Sequence, residues 1–306
     1  MKLLQATLLT ALPGLLILPA HADFLQDAES RIELRNFYFN RDFRQSGAAQ
    51  SKADEWAQGV RAYWQSGYTA GRVGVGLDAI GLLGIKLDSS PDRTGTGLLK
   101  RDRSDGRAMS EYGELGLTAK LRLDEHVLRL GTLIPTLPVA MHNDSRLLPQ
   151  TFRGGWLQAQ GNDALSFDLG RFDAINLSMQ PVQGGARNVI VTGKQQSNAF
   201  DFAGATYAFS PDTRASYHYG ELDSIYRQHY LTLNHSRALG GGSLNANLRY
   251  ADSSDAGRSN VDNRMTSLAL SWQSGMHRLA SSYQQMDGNT GFAYLQGTDP
   301  FLVHLV

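Results

Sequence analysis

From Asp23 onward, apolar residues recur at every second position. Across 114–123, Leu115, Leu117, Ala119, Leu121 and Leu123 alternate with Glu114, Gly116, Thr118, Lys120 and Arg122. This is the period of a strand with one apolar and one polar face. It returns in 32–35, 56–65, 72–79, 165–170, 244–250, 268–273 and 279–284. A helix is excluded because apolar positions do not recur at three and four residues. The pattern predicts thirteen strands, near 29–40, 54–66, 70–87, 110–123, 126–134, 153–161, 164–175, 198–209, 213–222, 227–237, 243–252, 264–274 and 276–286.

The connections sort by length. Short ones at 66–69, 124–125, 162–163, 210–212, 238–242 and 275 alternate with long ones at 41–53, 88–109, 135–152, 176–197, 253–263 and from 287 onward, with 223–226 the one compact exception. Strands of about ten residues, with turns on one rim and long loops on the other, are the mark of an all-β antiparallel transmembrane barrel. In such a barrel the apolar face meets lipid and the polar face lines the lumen. Aromatic residues, among them Phe37, Tyr38, Phe39, Trp56, Tyr217, Tyr226, Tyr230, Tyr250 and Tyr283, fall mostly near strand ends and are expected to form interface girdles.

Residues 1–22 read as a secretory signal: Lys2, then an apolar stretch, then the Ala20-His21-Ala22 cleavage site. The mature barrel is expected over 23–306. Composition narrows the function. The 306 residues carry 29 Lys+Arg against 29 Asp+Glu and no cysteine, which excludes a disulfide framework, a thiolate metal site and bulk electrostatic capture of nucleic acid. No nucleophile elbow, zinc-protease motif or phosphate-binding loop is present, so neither catalytic residues nor metal or cofactor are assigned. An outer-membrane hydrolase using residues such as His142, Asp144 and Ser145 is the remote alternative, since adjacency in sequence is not triad geometry.

Leu34-Arg35-Asn36-Phe37-Tyr38-Phe39-Asn40-Arg41-Asp42, Asp54-Glu55-Trp56-Ala57-Gln58-Gly59, Val73-Gly74-Val75-Gly76-Leu77-Asp78-Ala79, Ser145-Arg146-Leu147-Leu148-Pro149-Gln150-Thr151-Phe152 and Ile225-Tyr226-Arg227-Gln228 resemble the OprD family of substrate-specific outer-membrane porins. The resemblance implies an 18-stranded barrel, often a loose homotrimer, that is folded by the barrel assembly machinery among lipid and lipopolysaccharide. It implies passage of small anionic, carboxylate-bearing solutes. It also implies that the third long loop folds inward as a constriction and that a file of lumen cations guides the carboxylate. Thirteen strands is an odd count, and single-chain bacterial barrels have even counts. The resemblance therefore implies that about five C-terminal strands are missing.

Strand parity places Arg35, Arg61, Arg72, Lys86, Lys120, Arg122, Arg129, Arg249 and Arg278 opposite the apolar face. A same-sign file in a pore selects the opposite sign, and arginine grips a carboxylate with two donors. Glu33, Asp78 and Glu114 share that face, while the other acids are expected mostly in loops, as at Asp88, Asp92, Asp102, Asp105, Asp252, Asp255 and Asp262. Loop 135–152 holds three of the nine prolines. Its stiffness and family position make Asn143, Asp144, Ser145 and Arg146 the candidate constriction residues. This run is more similar to the branch associated with aromatic and other monocarboxylates than to the branch for basic amino acids, which is the runner-up.

Overall fold

The computed structural model describes residues 21–102, 104–176, 189–190, 196–197 and 199–295. Residues 1–20 of the expected signal, and most of the expected loop 176–197, lie outside the described residues. A short helix, α1 (His21–Gln26), precedes the strands β1 (Glu29–Asp42), β2 (Lys52–Gln65), β3 (Val73–Asp88), β4 (Glu111–Leu123), β5 (His126–Leu133), β6 (Thr136–Leu137), β7 (Ala140–Met141), β8 (Thr151–Asn162) and β9 (Leu165–Asn176). They continue as β10 (Val189–Ile190), β11 (Gln196–Ser197), β12 (Phe200–Ser210), β13 (Thr213–Leu222), β14 (Tyr226–Leu239), β15 (Gly242–Asp255), β16 (Asp262–Ser274) and β17 (His277–Gly288).

Thirteen of these form one sheet in the order β1-β2-β3-β4-β5-β8-β9-β12-β13-β14-β15-β16-β17, and β6-β7 and β10-β11 are separate two-stranded ribbons. Every pairing is antiparallel between sequence neighbours in the sheet. This up-and-down order and the strand count match the alternation in the sequence. Side-chain parity matches too. Leu34 and Leu115 are 73% and 79% exposed, and Ile32, Leu117, Leu231 and Leu268 share that face. Leaving one leucine in water forgoes about 2 kcal/mol, so a face built this way belongs in hydrocarbon. Register shifts only locally, at Trp56/Ala57, Arg153/Gly154, Gln160/Asn162 and Ala208/Ser210, since a slip of one residue along a whole strand would turn every Leu inward.

The opposite face is polar in its middle and apolar where loops cover it. Loop 89–110 turns inward: Leu98 and Leu99 are buried with Ala57, Leu82, Ala108, Tyr112, Leu147 and Leu148. Residues 289–295 also turn inward, burying Phe292, Ala293 and Leu295 against Tyr226, Tyr230, Ala251 and Met265.

Two expectations need correction. Tyr226 and Tyr230 are buried in the cluster under residues 289–295, and Phe37 and Phe39 pack against the cluster under loop 89–110, because their parity is that of the inner face. They are not girdle residues, unlike the exposed Tyr38, Trp56, Tyr217, Tyr250 and Tyr283. Asp88, Asp252, Asp255 and Asp262 lie on strand ends rather than in loops, since the strands run on past their apolar portions.

Candidate functional site

The segment between β5 and β8 is held in shape by its own polar side chains. Its β6-β7 ribbon is followed by His142, whose backbone N–H donates to the Pro135 carbonyl at 3.0 Å. Asn143 Oδ1 accepts from the Ser145 N–H and hydroxyl at 2.8 and 2.7 Å, and the Gln150 N–H donates to the Asn143 carbonyl at 2.8 Å. Such side-chain-closed turns fix a loop tip without regular structure. Here they present Asp144 to the wall.

Two guanidinium groups receive it. Arg61 on β2 approaches Asp144 through Nη2 to Oδ1 at 2.6 Å and Nη1 to Oδ2 at 3.2 Å. Arg35 on β1 approaches through Nη2 to Oδ2 at 3.0 Å. Arg61 also donates from Nε and Nη2 to the Leu147 carbonyl at 3.1 and 2.9 Å, and Glu33 lies 3.6 Å away. Arg35 reaches the Arg146 carbonyl at 2.5 Å, and Arg146 lies over the Phe39 ring at 5.2 Å.

The loop touches both walls. A methyl group at Gly59 on β2 would stand 3.0 Å from the Leu147 carbonyl oxygen, and one at Gly220 on β13 would stand 3.0 Å from Val139 Cβ. The segment thus crosses the lumen from one side of the curled sheet to the other.

The remaining cations are placed as follows. Lys120 is buried, with Nζ 2.7 Å from Asp78 and donating to the Ser66 carbonyl at 2.6 Å. Lys120 and Arg122 both lie over the Tyr68 ring, at 4.9 and 4.4 Å. Lys86 donates to the Ala108 carbonyl at 3.0 Å. Arg72 pairs with Asp124 on the turn rim at 3.1 Å. Arg129 donates to Gln158 and sits directly across from Trp156 in the β5-β8 register. Arg249 donates to Asn247 at 2.5 Å, and Arg278 faces inward opposite Gln273 on β16. Arg61, Arg129, His142, Asp144 and Trp156 line a cavity of about 460 Å³ beneath the cross-lumen loop.

Sequence reasoning missed several inner groups. Trp156 Nε1 donates to Asp168 Oδ1 at 2.8 Å, and His218 Nε2 lies 3.7 Å from Asp168 Oδ2. Asp168 and His218 alternate with apolar neighbours as the predicted cations do, so parity alone could have found them. Glu55 is buried and accepts from the Thr96 N–H at 3.2 Å. Asp54 pairs with Arg93 at 2.8 Å, and Tyr112 Oη donates to the Leu98 carbonyl at 2.8 Å. These contacts fold loop 89–110 inward. In that loop, hydrogen bonds from Ser90 to Asp92 and from Ser104 to Asp102 hold both carboxyls below the usual carboxylate range. Among the described residues, no three His, Asp or Glu side chains converge as metal ligands.

A sheet with an apolar exterior, a charged interior and a strap across its bore is the architecture of a porin. The sequence pattern of the outer membrane porins of the OprD family matches residues 22–306. The chain belongs to the OprD family. It is 34% identical to Porin D of Pseudomonas aeruginosa over 276 residues, covering 89% of this chain and 61% of that protein. The chain therefore spans less than two thirds of the length of that relative. It superposes on the crystal structure of Pseudomonas aeruginosa OccK9 (OpdG) with a TM-score of 0.87 and 42% identity, covering 92% of this chain and 73% of that one. The crystal structure of Pseudomonas aeruginosa OpdK with vanillate gives 0.82 and 37%, covering 90% and 71%. OprD-family porins are outer-membrane proteins, and the relatives are channels rather than enzymes.

Proposed function

We propose that the chain forms the wall of a diffusion channel for small carboxylate-bearing solutes, with aromatic or other monocarboxylates favoured. The observation that carries this reading is the Asp144 carboxylate held between Arg35 and Arg61. A wall that grips its own loop's carboxylate with two guanidinium groups has the chemistry to grip a solute's. Arg35 and Arg61 are engaged in this way. In the 460 Å³ cavity, Arg129 beside the Trp156 ring is the group suited to an aromatic acid. Vanillate, found with the relative OpdK, is such an acid.

In this reading Asn143, Asp144, Ser145 and Arg146 shape the constriction, and Arg122 and Arg129 carry the anion past it. Residues 1–22 serve as the export signal, and the apolar exterior meets lipid and lipopolysaccharide after delivery by the assembly machinery. A weak homotrimer belongs to the same proposal.

Reversal potentials in planar bilayers test it. The protein should pass benzoate in preference to potassium, and Arg122→Ala combined with Arg129→Ala should reduce that preference. Cation selectivity, preferential conduction of arginine, or unchanged benzoate flux in the double variant would overturn the reading.

A further inference from the structure

The lumen rows of β13 to β17 differ in kind from those of β1 to β5. On the first wall Arg61 stands near Glu33 and Asp144, and Lys120 against Asp78. On the second wall, register aligns Arg214, Asn234, Asn247, Ala269 and Ser282 in one inward row and Ser216, Thr232, Arg249, Ser267 and Gln284 in the next. Neither row contains an acidic residue. At the turn end of these strands lies a cavity of about 630 Å³, whose lining includes Arg214, Arg249, Asn234, Asn247, Ser271 and Gln273. Among the described residues, Asp212, in the rim turn, is the one acid that lines it.

Arg249 is oriented by neutral groups. Arg249 Nε donates to Asn247 Oδ1 at 2.5 Å, and Asn247 Nδ2 donates to Asn234 Oδ1 at 2.5 Å. An amide or hydroxyl beside a guanidinium can both donate to and accept from a hydroxyl. A bare hydrocarbon ring would displace water from these groups and return nothing, which is how a hydrogen-bonding site rejects an analogue lacking the hydroxyl.

We propose that this cavity is a second solute station, which takes a hydroxylated carboxylate in preference to a bare one. The carboxylate is held by Arg249 and Arg214, and the hydroxyls by the Asn234, Asn247, Ser271 and Gln273 side chains. This rests on the carboxylate reading above and narrows it.

The test is binding of benzoate and 3,4-dihydroxybenzoate to the full chain folded in detergent, measured by calorimetry in an Arg129→Gln background so that the first cavity contributes little. Dihydroxybenzoate should bind roughly tenfold more tightly, the worth of one or two retained hydrogen bonds. Asn234→Leu with Asn247→Leu should bring the ratio toward one. Asn247→Asp is nearly isosteric and sets a negative charge beside Arg249, so it should weaken both acids. Equal affinity for the two acids, or indifference to Asn247→Asp, would overturn the hydroxylated-acid station while leaving the carboxylate channel standing. Failure of both acids to bind, with Arg129 intact as well as replaced, would overturn the channel reading with it.

Discussion

Arg61 Nη2 and Asp144 Oδ1 meet at 2.6 Å, although the residues stand 83 positions apart in the chain. Arg61 is almost wholly buried and Asp144 partly exposed. Removing one partner of a buried pair costs about 3 to 5 kcal/mol, and the exposure of Asp144 puts this pair at the lower end. Arg61→Ala should therefore cost about 3 kcal/mol in urea unfolding. It should also release the strap, seen as faster tryptic cleavage after Arg146.

The pair of Lys120 and Asp78 permits a cleaner experiment. Both groups are largely withdrawn from solvent, so Lys120→Met alone strands a carboxylate and should cost about 3 kcal/mol. Adding Asp78→Leu should recover much of the loss, because the double variant buries no lone charge. The readout is the coupling energy from a double-mutant thermal unfolding cycle, which should be well above the scatter of about 0.5 kcal/mol expected for independent sites.

Contact of the strap with β13 predicts intolerance to bulk. A Cβ at Gly220 would lie 2.7 Å from Phe200 Cζ and 3.0 Å from Val139. Gly220→Val should destabilise by about 1 to 3 kcal/mol through overpacking. An additional Val139→Ala change should relieve part of this, as measured by the shift in melting temperature.

Asp102 supplies a pH prediction. Its carboxyl titrates below the usual range because Ser104 donates to it. A lowered folded-state pKa adds stability above the unfolded value, and this is lost as pH falls through the folded value. In NMR titration the Asp102 midpoint should lie below about 4, the ordinary value, and Ser104→Ala should move it upward. The stability difference between wild type and Ser104→Ala should be present at neutral pH and disappear in strong acid.

The strands were legible because lipid and lumen impose a period of two, as in Leu115 to Leu123 against Glu114 to Arg122. Parity also placed Lys120, Arg122 and Arg129 on the inner face. Parity does not tell which acid a cation will meet. Asp144 reaches Arg61 only because Asn143 and Gln150 fold the loop tip, a tertiary event with no periodic trace. Leu98 and Leu99 looked like loop residues, and their burial depends on Glu55 and Asp54 on another strand capturing Thr96 and Arg93. Asp168 and His218 were within reach of the same parity rule, but their pairing across two strands emerges only from register.

The strap that joins Gly59 on one wall to Gly220 on the other has a mechanical meaning. A bore set by circumference alone would breathe with bilayer tension and with every change in strand tilt. A segment anchored by Arg35 and Arg61 at one end and packed at Val139 at the other ties β1 and β2 to β13. In the proposed channel this tie would hold the spacing of the two walls at the level of the loop while the rest of the sheet yields to the lipid.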